Sequence, residues 1–210
     1  MTDLPSRAKL RTSRGPVELS GSLPVPILAT PMDPERIDEV TARTWVDVDL
    51  GAIARNVSAL AKRLPEGCGV LMVVKADAYG HGLEPVAQTA AAAGAWGFGV
   101  AALDEAARLR AAGIRGPIVC AMPLLPAEAA RALALSVIPA ITSLDQAMGF
   151  DAVARAAGRR FEAHLDIDTG LGRTGVWDRE AIELMERMAK LPGRCRTSAG
   201  TCRRLSGSTT

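Results

Sequence analysis

One short stretch, "VLMVVKADAYGHG" at residues 70–82, holds most of the groups in this sequence that could do chemistry. Five apolar residues run into Lys75, and Asp77, Tyr79, Gly80, His81 and Gly82 follow. Lysine is seldom buried without a partner. A lysine ending an apolar run therefore either carries its amine out to solvent or is placed there for a reaction. An amine partly desolvated by apolar neighbours has a lowered pKa and attacks carbonyls, including the aldehyde of pyridoxal phosphate, to form a Schiff base. Tyr79 supplies a hydroxyl four residues later, and glycines at 80 and 82 let the backbone approach a ligand closely. The spacing by itself leaves both readings of Lys75 open.

The elements that must position Lys75 are regular from Thr44 onward. "TWVDVDL" alternates like a strand, and "GAIARNVSALAKRL" places Ile53, Val57, Leu60 and Leu64 at helical spacing before Pro65. "VLMVVK" reads as a short buried strand and "LEPVAQTAAAAG" as a helix. The alternation continues through strands "WGFGVA", "PIVCA", "VIPAI" and "RFEAHLDID", separated and followed by helices "LDEAARLRAAG", "PAEAARALAL", "SLDQAMGFDAVARAAG" and "REAIELMERMAKL". Six successive strand-helix pairs predict a mostly parallel sheet covered by helices, as an open doubly wound sheet or a (β/α) barrel. In either, the functional face lies at the carboxyl ends of the strands, where Lys75 falls on the second strand.

Flanking segments read differently. Residues 1–40 hold six of the thirteen prolines without periodicity and are expected to form a flexible leader. Residues 41–192 are the domain, and 193–210 form a basic non-core tail with four arginines and no acid, valine, isoleucine or aromatic residue. Such a tail is either disordered or the product of a shifted reading frame.

The chain's 210 residues, 48% hydrophobic and 23% charged with a net charge of +2, suit a globular protein rather than a disordered or fibrous one. The balance of charge gives no pull toward nucleic acid, and no apolar run reaches membrane-spanning length. Cys68, Cys120, Cys195 and Cys202 show no metal-binding spacing, so they read as thiols of a reducing, cytoplasmic compartment with no metal.

The stretch "VVKADAYGHG" resembles the cofactor-lysine signature of alanine racemase, "DIDTGLGRTGV" (166–176) is similar to a second segment of that family, and "WVDVDLGAIARNV" is similar to its first strand and helix. The resemblance covers about Thr44 to Pro192. It implies a (β/α)8 barrel of the pyridoxal-phosphate fold type III, here only in part (about six βα units), with the β-rich C-terminal domain absent. It implies a cofactor, pyridoxal 5'-phosphate, and interconversion of L- and D-alanine, which supplies D-alanine for peptidoglycan. Lys75 would hold the cofactor as its internal aldimine and serve as one acid/base. Tyr79 would bond the cofactor phosphate, and Arg173 would sit beside the phenolic oxygen and the substrate carboxylate. The partner is small-molecule alanine, with neither nucleic acid nor membrane involved, and full-length members of the family are homodimers.

The sequence also departs from that pattern. Tyr79 is the only tyrosine, so the tyrosine that serves the opposite face of the substrate in the family has no counterpart. Asp166 stands where many members carry a carbamylated lysine, and this anion could position Arg173 by a charge-assisted bond. His81 and His164 are expected to be structural. The sequence thus reads as the N-terminal part of a racemase, inactive by itself. The alternative is a single-domain barrel that binds pyridoxal phosphate without turnover.

Overall fold

In the computed structural model, residues 8–10, 46–192 and 196–201 are described, the first and last of these segments by backbone alone. The rest of the leader and of the basic tail, with Cys195 and Cys202, lies outside the described residues. In chain order the elements are β1 (Ala8–Leu10), β2 (Val46–Val48), α1 (Leu50–Ala61), β3 (Leu71–Val73), a single turn α2 (Lys75–Gly80), α3 (Leu83–Ala92), β4 (Gly97–Val100) and α4 (Leu103–Ala111). They continue as β5 (Ile118–Cys120), α5 (Ala129–Ala134), β6 (Val137–Ile141), α6 (Leu144–Ala156), β7 (Glu162–Asp168), β8 (Val176–Trp177), α7 (Ala181–Ala189) and β9 (Arg196–Thr201).

Strands β3 to β8 lie side by side in chain order, all parallel, with β9 also pairing β7 in parallel. A doubly wound sheet must reverse its strand order at a switch point, and this order has no reversal. The sheet is therefore part of a (β/α) barrel, which decides between the two architectures that periodicity leaves open. Every residue of β4, β5 and β6 is buried, as parallel strands between a barrel interior and a layer of helices require.

The helices begin and pack for visible reasons. Asp49 and Ser143 cap α1 and α6, each accepting a bond from the amide three residues on (Ala52 at 2.9 Å, Gln146 at 3.2 Å). Helix α7 buries Ala181, Leu184 and Met188, spaced three and four apart along one face. Phe150 of α6 meets Phe161 edge-to-face at 4.9 Å, tying helix to sheet.

Four strands depart from the sequence reading, among them β8, a two-residue strand beside β7 that is too short for periodicity to register. The first strand of the expected alternation, β2, is not in the parallel sheet: it pairs antiparallel with β1, Ala8 opposite Val48. The cause is in its own letters. Val46 and Asp47 are exposed and only Val48 is buried, so the strand lacks the continuous burial of a barrel strand between two layers. Strand β1 lies inside the leader and β9 inside the tail, where the sequence places no strand. A ladder is made by main-chain groups, so "RTSAGT" can pair with Glu162–Ile167 without the valine, isoleucine or aromatic residues that periodicity looks for.

Candidate active site

Lys75 leaves β3 immediately after Val74, which is fully buried and whose amide reaches Gly99 O at 2.8 Å. The lysine is half-buried. The next four residues all adopt left-handed dihedrals: φ is 53° at Ala76, 55° at Asp77, 53° at Ala78 and 56° at Tyr79. Each such L-residue costs roughly 1–2 kcal/mol, and no run of apolar contacts near the surface would hold four of them. Polar bonds do. Ala78 N donates to Val74 O (2.8 Å) and Gly82 N to Asp77 O (2.9 Å). The Asp77 carboxylate accepts from Leu83 N (3.1 Å) and Arg108 Nη2 (2.8 Å). Arg108 also grips Glu84 with Nε and Nη2 at 2.7 and 2.8 Å. Its side-chain bonds push the Glu84 carboxyl below its ordinary range, and those carboxylates in turn raise the Arg108 pKa.

From α4, Glu105 completes the brace. Its Oε1 accepts from Ala76 N at 2.6 Å, and its Oε2 accepts from Ala101 N at 2.9 Å. One carboxylate thus joins the loops that follow two neighbouring strands. Gly80 continues the turn at φ 83°, and an added Cβ there would meet nothing within 4 Å. The dihedral angle favours glycine here, and no protein atom closes the space beside it. Tyr79 is 60% exposed, and His81 Nδ1 donates to Ala78 O at 2.9 Å.

The second cluster follows β7. Asp168 accepts from Gly170 N (2.9 Å) and from Gly172 N (3.1 and 3.0 Å to its two oxygens), and these amides hold its carboxyl below the ordinary value. The stapled loop carries Arg173, which is exposed. Asp166 accepts from Thr174 Oγ1 at 2.9 Å, so its bond runs to the neighbour of Arg173 rather than to Arg173 itself. A cavity of about 340 Å³ lies against the interior face of the sheet, with His164, Asp166, Asp168 and Arg173 among its lining residues. Burial lowers the His164 pKa. Lys75 does not line this cavity. Parallel topology brings Lys75 and Arg173 to the same end of the sheet, each in the loop after its own strand.

Sequence reading passes over Glu105, Arg108 and Asp168. The aspartate carried a signal, since Asp before a glycine-rich turn tends to bond its own backbone. The other two did not, because "LDEAARLR" reads as the solvated face of a helix. Among the described residues no group of three His, Cys, Asp or Glu could hold a metal ion, and no helix is long and apolar enough to cross a membrane.

Comparison with known proteins adds the following. A family model described as the alanine racemase N-terminal domain matches residues 48–200, past Pro192 and into the segment that contains β9. The alanine racemase of Citrifermentans bemidjiense is 41% identical over 147 residues, covering 69% of this chain and 39% of that protein. Among solved structures, alanine racemase from E. faecalis superposes with a TM-score of 0.68 at 30% identity, over 75% of this chain and 43% of the other. The histidine racemase of Leuconostoc mesenteroides is similar with a TM-score of 0.64 at 26% identity, over 72% of this chain and 41% of that one. The chain spans about two fifths of the length of the curated relatives it matches.

Proposed function

The chain belongs to the alanine racemase N-terminal domain family, and on that premise we propose that it forms the part of an amino-acid racemase that binds pyridoxal 5'-phosphate through Lys75 and acts on alanine. The observation that carries this reading is the placing of Lys75, half-buried at the end of a buried strand on a turn whose strained backbone is braced from three side chains. Strain of that kind persists where the surrounding structure over-determines it, and it clusters at functional sites.

The residues present fit the cofactor. Lys75 offers an amine at the carboxyl end of the sheet, and the exposed Tyr79 offers a hydroxyl from the same turn. Arg173 presents a planar fork of donors suited to a phenolic oxygen or a substrate carboxylate. Bound there, the cofactor would supply an electron sink that acidifies the α-proton of an amino acid. Lys75 Nζ would then hold or return that proton on one face. Asp166 would steady Arg173 indirectly, by fixing Thr174 beside it. The second face needs an acid/base that the family draws from a tyrosine, and full-length members would meet as homodimers in the cytoplasm. Similarity to both alanine and histidine racemases supports the reaction class more strongly than the choice of alanine.

Attachment is testable directly. The Lys75 amine condenses with the cofactor aldehyde, releasing water, and borohydride reduces the C=N bond to a stable secondary amine. Peptide mapping after reduction should find the label on Lys75, and Lys75→Ala should lose it. Label on another lysine with Lys75 free would overturn the assignment.

A further inference from the structure

We propose that Glu105, acting through the main chain, is the positioning residue that sets the reach of Lys75. The inference rests on the reading of Lys75 given above but comes from separate observations. Glu105 bridges the main chains after β3 and β4: Oε1 takes the Ala76 amide at 2.6 Å and Oε2 takes the Ala101 amide at 2.9 Å. Ala76 directly follows Lys75 and is the first residue of the left-handed run. Ala76 lies at the opening of the turn that directly follows a strand, so no preceding helical carbonyl is available to its amide, which bonds the Glu105 carboxylate. A carboxylate suits both N–H groups at once because it accepts at both oxygens and donates at neither. Gln in its place would keep one acceptor and aim an NH₂ at the other amide. The nearby Asp77–Arg108–Glu84 group holds the far side of the turn, so loss of Glu105 alone should loosen the Lys75 end while the fold remains.

The test compares Glu105→Gln with Arg110→Gln in the full chain. Arg110 also sits on α4 but bonds Ile114, Gly116, Leu135 and Ser136 carbonyls near the amino ends of β5 and β6. It reports stability without contact with the site. Three quantities are measured: melting temperature, hydrogen exchange of the Ala76 and Ala101 amides, and borohydride-trapped pyridoxal 5'-phosphate on Lys75 across a cofactor titration. Glu105→Gln should speed exchange at both amides and weaken half-saturation of labelling about tenfold, the worth of one charge-assisted bond. Arg110→Gln should lower the melting temperature at least as much yet label Lys75 like the parent chain. Unchanged labelling in Glu105→Gln, or equal losses in both variants, would overturn the positioning role. If the parent chain itself takes no label on Lys75, the proposed function falls. The amide exchange then decides the role of Glu105 alone, with unchanged exchange at Ala76 refuting it.

Discussion

Asp168 shows how a single carboxylate can order a loop that offers almost no side chains to pack. It lies between Asp166 and the glycine-rich turn and accepts three contacts from two amides. Close packing adds a constraint: at Gly175, where φ is 109°, a Cβ would fall 2.6 Å from Asp168 N. Because the folded pKa lies below the ordinary 3.8, the anion is the form the fold prefers. Its contribution is complete above about 3.8 and is lost as pH falls through the lower folded value. Hydrogen exchange at Gly170 and Gly172 should therefore accelerate on acidification below that range in the parent chain. In Asp168→Ala both amides should exchange fast at neutral pH and show no such acid step. Retained protection in the variant would mean that the loop is ordered by something else.

Among the elements, α6 is tied to the barrel by a buried polar side chain. Gln146 is buried at 5% exposure. Its Nε2 donates to Leu124 O (2.9 Å) and Ala140 O (3.0 Å), and its Oε1 accepts from Thr142 N (2.9 Å). Gln146→Leu keeps the volume and strands all three groups, each costing roughly 1–3 kcal/mol when buried without a partner. Unfolding by denaturant should show a loss of about 3 kcal/mol or more; a loss under about 0.5 kcal/mol would mean that water replaces the glutamine. That tie was not legible in the sequence, where Gln146 reads as one more polar residue of an amphipathic helix. The strand and helix order of the barrel was legible, because buried parallel strands such as "VIPAI" and stripes such as Ala181, Leu184 and Met188 write their environment into their letters. The position of Lys75 at a strand end followed from the same order, whereas Arg173 was singled out by the resemblance of "DIDTGLGRTGV". What stayed hidden was held by main chain: the pairing of β1 and β9, the left-handed run after Lys75, and the amides that Glu105 collects. Main-chain bonds leave little trace in residue type.

At the scale of the whole molecule, the described sheet is open at β3, which pairs only with β4 among the described strands and exposes Leu71 (39%) and Val73 (42%). A bare parallel edge with apolar side chains is a template for association. Sedimentation of these 210 residues should show self-association that rises with concentration, and a strictly monomeric species would show that the edge is covered. Racemisation is a separate matter. On the proposed reading, these 210 residues hold no tyrosine besides Tyr79 and so do not themselves supply the acid/base expected at the second face of the substrate, a group worth on the order of 10²–10⁴-fold. L-alanine incubated with this chain and pyridoxal phosphate in deuterated buffer should yield no D-alanine above the free-cofactor rate, although slow α-deuterium uptake on one face is allowed. D-alanine well above that rate would disprove the division of labour. The matching of strand order to chain order from β3 to β8 also bears on synthesis. From β3 to β7 each strand pairs with the one made just before it across one strand-helix unit, so these closures cost nearly the same chain entropy. The barrel can assemble vectorially as it leaves the ribosome, and the turn bearing Lys75 must wait for α4, which delivers Glu105, before it can be fixed in place.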